Sequence, residues 1–160
     1  MRLRRLLTRL TIVATLAGPA AAVRAGQPAA LATLQQLVRA ADTVVLAHCD
    51  SGESKWADAP PIIVTRRQCQ VERAFKGSTG ATLTLQTLGG RVGDVVMGSS
   101  ALTASVPANV AVVLLLRRSQ FGSHYVLAGG AGAAVALAYS AGQYTIHGMA
   151  LEDFARWAGQ

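Results

Sequence analysis

Three observations predict a mainly β protein, built as a small closed barrel of five or six strands flanked by an N-terminal and a C-terminal helix. Short stretches carry β-branched or alternating apolar residues, clusters of Gly, Pro, Ser and Asp interrupt them, and helical apolar stripes occur near both ends of the chain. Strands this short and this closely spaced expose unpaired edges in an open sheet, and closure removes those edges.

The chain opens Met1-Arg2-Leu3-Arg4-Arg5, continues with an apolar stretch at 10–17, and reaches small residues at Ala20-Ala21-Ala22 and Val23-Arg24-Ala25. A positive head, a short hydrophobic middle and a small-residue exit describe a secretory signal peptide over 1–25. The expectation is therefore an exported protein, periplasmic or secreted, whose mature chain at 26–160 is one domain. The formal charge of +7 belongs mostly to the signal, since five of the fifteen basic residues precede residue 26 while all eight acids follow it. A mature chain with ten bases and eight acids has no electrostatic reason to bind nucleic acid, and that partner is not expected.

The first mature element is a helix over 29–40, because Leu31, Leu34, Leu37, Val38 and Ala41 recur on one stripe. The β-branched run at 44–47 starts the first strand, followed by His48, Cys49 and the turn-rich Asp50-Ser51-Gly52-Glu53-Ser54. Pro60-Pro61 ends that loop, and a long second strand occupies 62–75. In its second half Cys69, Val71 and Phe75 share one parity while Gln68, Gln70 and Glu72 share the other, which turns Cys69 inward. An antiparallel hairpin centred on Ala59 sets Cys49 opposite Cys69. These are the only two cysteines, and the oxidising space beyond the membrane favours one structural disulfide between them; the alternative is two buried free thiols.

Residues 81–88 alternate leucine with threonine and form the clearest strand, which Gly89-Gly90 breaks. The segment 91–108 has no firm period and reads as an irregular crossing. The run at 110–116 is continuously apolar, as suits a strand buried on both faces. At seven residues it is far below the roughly 20 needed to span a bilayer, so no stable span is expected once the signal is removed. A loop at 117–122 leads to a strand at 125–128, and beyond the glycines a further strand covers 134–139. Ala150, Leu151, Phe154, Trp157 and Ala158 form the closing helical stripe, with Glu152 and Asp153 near the positive end of its dipole.

This progression resembles a type of exported bacterial domain. The shared features are a helix followed by Ala41-Asp42-Thr43-Val44-Val45, Trp56 in the first loop, and Val71-Glu72-Arg73-Ala74-Phe75-Lys76-Gly77 closing the long strand. Leu88-Gly89-Gly90-Arg91-Val92-Gly93-Asp94 and Tyr125-Val126-Leu127-Ala128-Gly129 complete the set. It is distantly similar to the netrin-like modules and the tissue inhibitors of metalloproteinases over 41–130. The resemblance implies an OB-like barrel of five strands, a type that normally places a helix between its third and fourth strands; the residues of 91–108 leave open whether that helix is there. It does not carry protease inhibition, since those inhibitors use an amino-terminal cysteine and dense disulfides that this chain lacks. Pro107-Ala108-Asn109 and Ala131-Gly132-Ala133 also replace turns expected of the bacterial type.

Chemistry-bearing motifs are sparse. His48, His124 and His147 have none of the paired spacings that build two metal ligands into one element. His48 beside Cys49 imitates a base and a nucleophile, but exported thiols with a partner oxidise. Gly130-Ala131-Gly132 imitates a dinucleotide fingerprint, but Val135 stands at the third glycine position, no room remains for a βαβ unit, and a strand bend or close packing explains the glycines. Ser99-Ser100 lacks a nucleophile elbow. No cofactor is expected.

The function expected is a non-enzymatic exported binding or accessory module presenting 50–60 and 89–108 to a protein or envelope partner. Trp56, Arg66, Arg67, Arg91 and Asp94 form the candidate partner surface. Trp56 serves either as an exposed anchor or as a cap on the barrel. Arg66 and Arg67 point to opposite faces, so that one crosses a barrel mouth or pairs with Glu72 or Asp94, unless the pair simply lies on a solvated strand edge. The alternative function is a small envelope hydrolase or metal-dependent enzyme using His48, His124 and acids such as Asp42 or Asp94.

Overall fold

A computed structural model describes residues 27–58, 60–98 and 106–160. Residues 1–26, which include the expected signal peptide, Ala59 at the expected hairpin centre, and Ser99-Ser100 lie outside the described residues. Helix α1 spans Gln27–Ala40, two residues longer at its start than the stripe predicts. The strands are β1 (Thr43–Cys49), β2 (Glu53–Trp56), β3 (Ile63–Lys76), β4 (Thr82–Leu88), β5 (Gly90–Val92), β6 (Val95–Met97), β7 (Ala111–Arg118) and β8 (Tyr125–Leu127). They continue with β9 (Ala134–Ala136), β10 (Ala138–Ser140), β11 (Gln143–Ile146) and β12 (Met149–Ala150), and helix α2 (Leu151–Ala158) follows.

Five of these strands close a barrel in the order β1, β3, β4, β8, β7 and back to β1. All neighbours are antiparallel except β4 and β8, which pair in parallel through Leu85 and Tyr125. Numbering only the barrel strands by chain position, the circuit is first, second, third, fifth, fourth, with the third and fifth parallel. That is the OB-like arrangement expected.

The 14-residue β3 organises one half of the barrel because a single edge of it serves two partners in turn. Its second half pairs with β1, where Cys49 stands opposite Cys69, and the two sulfurs are bonded as a disulfide. Its first half pairs with β2, with Glu53 opposite Arg66 and Trp56 opposite Ile63. The expectation of a simple loop over 50–60 is corrected here. The chain leaves β1, bulges for three residues and rejoins the same edge, because β3 extends past the disulfide with unsatisfied backbone groups. Asp50 stitches the bulge: its N–H donates to Gln68 O and its Oδ1 accepts from Gln68 N. Gly52 makes the bulge possible. Its φ is +74°, and a Cβ there would lie 2.7 Å from Arg66 O.

The expectation of an irregular crossing over 91–108 is likewise corrected in its first part, where β5 and β6 form a hairpin across Gly93-Asp94. Its base is fastened to the barrel by two hydroxyls. Thr65 Oγ1 donates to Gly89 O at 2.7 Å, which leaves the Ser54 hydroxyl to donate to Thr65 at 2.8 Å. Among the described residues no helix lies between β4 and β7; 99–105 fall outside them.

The apolar run is buried on both faces from Val112 to Leu116, as expected, whereas Val110 precedes β7 and is exposed. Val112, Leu114 and Leu116 fill the barrel interior with Val45, Ala47, Leu83, Leu85, Tyr125 and the disulfide. Val113 and Leu115 point outward into a second core with Leu34, Val38, Phe75, Ile146 and Phe154, covered by both helices. Fully burying a side chain such as Phe154 contributes about 1.5–3 kcal/mol relative to leaving it exposed, and its ring meets Phe75 edge to face at 5.4 Å.

Long polar side chains pin the helices. Lys76 Nζ donates to Val38 O and Ala41 O at the end of α1, and Arg73 holds Glu152 of α2 through two hydrogen bonds of 2.6 and 3.0 Å. The single strand expected over 134–139 is divided. β9 pairs with β7, and the chain then turns away at Leu137 so that β10 joins β11 and β12 in a separate meander. This meander is absent from the sequence expectation because Gln143-Tyr144-Thr145 lacks an apolar alternation. Gly130–Ala133 forms a 3-10 turn, and Gly129 lies against Leu37, where a Cβ would come within 2.0 Å of Leu37 Cδ2. Close packing accounts for Gly129, and Gly130 turns the chain at φ +65°.

Candidate ligand groove on the barrel face

The outward parity of β3 and β4 builds a polar floor. Register sets Arg66 opposite Gln86 and Gln68 opposite Thr84. Each pair is joined: Arg66 Nε donates to Gln86 Oε1 at 2.9 Å, and Gln68 Nε2 donates to Thr84 Oγ1 at 3.1 Å. The opposite parity turns inward and gives Cys69, Leu83 and Leu85 to the barrel core. One alternation thus makes both the core and the floor.

Two walls rise beside this floor. On one side stands β2 with Glu53, Lys55 and Trp56. On the other is the turn joining β7 to β8, where Phe121 N donates to Ser119 Oγ and the Phe121 ring is 93% exposed. Between them lies an open cleft of about 580 Å³, bordered by Asp50, Lys55, Arg66, Gln68, Phe121 and His124. A second hollow of about 360 Å³ shares Lys55, Arg66, Phe121 and His124 with the first and extends it to Trp56 and Val126. The two form one groove across the outer face of the barrel.

His124 is buried at the foot of the turn. Desolvation, and then the Arg66 guanidinium, hold its imidazole below the usual histidine range, so it is neutral at neutral pH. The charged groups along the groove are the acids Asp50, Glu53 and Asp58 against the bases Lys55 and Arg66.

The surface expected from sequence is divided by the fold. Trp56 and Arg66 both line the groove, and Trp56 is 43% exposed rather than folded away as a barrel cap. Arg67 has the inward parity opposite Leu85, passes beneath Gly52 and donates from Nη1 to Asp50 O at 2.8 Å. Neither Arg66 nor Arg67 pairs with Glu72, which instead accepts from His48 Nε2 at 2.7 Å. Arg91 and Asp94 are exposed on the β5–β6 hairpin and do not border the groove.

The residues of the enzymatic alternative are dispersed. Asp42 Oδ2 accepts from Arg118 N at 3.0 Å, a structural task at the barrel seam. His48 pairs with Glu72, and His147 borders an apolar hollow between α1 and β9. Both cysteines are in the disulfide, so neither is a thiol nucleophile. Among the described residues no group of three His, Cys, Asp or Glu side chains is placed to hold a metal.

Sequence reasoning missed Phe121, Gln68, Thr84 and Gln86 as groove residues. The outward parity of Gln68 and Thr84 was legible, but it had no partner to face until the turn at 119–124 was placed over it. No protein-family model matches the chain, and no curated protein or solved structure does either. The disulfide is compatible with an oxidising compartment, and among the described residues no helix is long and apolar enough to cross a membrane.

Proposed function

We propose that this protein is an exported, non-enzymatic binding module whose ligand lies in the groove over β3 and β4. The observation that carries the reading is the pairing of a preformed polar floor with two exposed aromatics, Trp56 and Phe121, on opposite walls. An exposed phenyl ring at a turn tip leaves apolar area in water that a partner would cover, and aromatics of this kind anchor interfaces. The walls correspond to the loops that OB-type barrels use for ligands, the one following the first barrel strand and the one between the fourth and fifth. Commitment of Asp42, His48 and both cysteines to structural contacts supports binding over catalysis.

The test is a photoreactive amino acid placed at position 121 of the full-length precursor in its own cells, with the same residue at Tyr139 on the separate meander as the comparison. The expected result is a defined envelope component linked from 121 and lost in an Arg66→Ala background. Equal capture from 121 and 139, or none from either, would overturn the proposal.

A further inference from the structure

We infer that the ligand of this groove is a neutral, hydroxyl-rich linear oligosaccharide, an inference that rests on the binding-module reading above. The floor is the first reason. Gln68, Gln86 and Thr84 each offer both donors and acceptors, and a sugar hydroxyl is likewise both at once. The two hydrogen-bonded rungs are two residues apart along β3, about 7 Å, so they present a repeating polar surface to an extended ligand. Cross-strand bonds already fix these amides, so little side-chain ordering remains on binding.

The walls are the second reason. Phe121 and Trp56 supply flat apolar faces at the groove rim, suited to the apolar face of a pyranose ring while the floor meets its hydroxyls.

Charge is the third reason and excludes the nearest competitor. Single-stranded nucleic acid also stacks on aromatics in OB-type grooves, but it needs a cationic track for its phosphates. Here three acids border the groove against two bases, and the neighbouring imidazole adds no positive charge at neutral pH. An acidic polysaccharide meets the same obstacle. An extended peptide adding as a strand needs a free backbone edge; under the groove β3 is paired on both edges, and the outer edge of β2 runs for only four residues.

The experiment titrates the purified protein, disulfide intact, with cellohexaose and chitohexaose as neutral probes, polygalacturonate as the acidic one and oligo-dT as the nucleic acid. Affinity is read by calorimetry and location by amide chemical shifts. The expected result is binding of a neutral hexasaccharide that shifts the backbone amides of Phe121 to His124 and the side-chain amides of Gln68 and Gln86. Its affinity should change little between low and high salt and fall roughly tenfold or more in Phe121→Ala, as for loss of an anchor. That variant removes a ring lying almost wholly in solvent and leaves the fold intact. Salt-sensitive binding of oligo-dT or polygalacturonate without binding of either neutral probe overturns the inference. If no saccharide binds while position 121 still captures an envelope component, the oligosaccharide reading fails and the binding module stands. Failure of both experiments removes both.

Discussion

Breaking the Cys49–Cys69 crosslink should destabilise the protein by about 3 kcal/mol, acting mainly on the unfolded chain. The bonded residues are separated by 20 positions, and the loop between them includes β2 and the start of β3. Closing a loop of that size lowers the unfolded chain's entropy by about 11 cal/mol/K, which is about 3.3 kcal/mol at 25 °C. Both sulfurs are buried in the barrel interior, so truncating them adds a packing loss of about 1 kcal/mol that simple reduction does not. The assay is urea unfolding of the oxidised protein, the reduced protein and the Cys49→Ala/Cys69→Ala variant. With a slope near 2 kcal/mol/M, the reduced protein should unfold about 1.5 M earlier than the oxidised one. The double variant should unfold slightly earlier again. Oxidised and reduced midpoints agreeing within about 0.5 M would refute the reasoning, and would mean that strand pairing alone holds the two segments together in the unfolded ensemble.

Gly52→Ala should lower stability by about 2 kcal/mol or more, because alanine is strained at φ +74° and its Cβ would press on the Arg66 carbonyl, which cannot yield without breaking β3 pairing. A fall in melting temperature of about 6–10 °C is expected by circular dichroism, and an unchanged melt would show that the bulge relaxes freely. His124→Gln should flatten the pH dependence of stability. The native imidazole is held below its unfolded value of about 6.5, so the unfolded chain binds the proton first as pH falls. The stabilisation is complete above the unfolded value and is lost as pH falls from there through the folded one. Thermal melts between pH 7.5 and about 5 should therefore diverge, with the native protein losing more than the variant; superimposed curves would count against a buried neutral His124.

Much of the barrel was legible because strand parity is local. Cys69 turned inward, the facing of Cys49 and Cys69, the doubly buried run before Arg117 and both terminal helices all followed from residues within one or two elements. The hairpin of β5 and β6, the strand β2 and the meander of β10, β11 and β12 did not, because Val95 and Val96, the Glu53–Trp56 stretch and Gln143–Ile146 carry too little alternation and owe their pairing to partners that already exist. For the same reason Trp56 and Arg66 could be singled out, whereas Phe121 looked like an ordinary turn residue.

By itself, then, the order of amino acids determined which faces are apolar, where the chain turns and that two cysteines can meet, since each is a property of neighbours along the chain. Only the tertiary structure decided that the groove exists. It joins β2, β3 and β4 to a turn more than thirty residues downstream of β4. The closure of β7 onto β1, and the parallel contact of β4 with β8, carry that turn over the polar floor. A surface assembled from segments that distant has no local period to announce it; it arises only when burial of Leu85, Leu114 and Tyr125 inside the barrel draws the strands into one circuit.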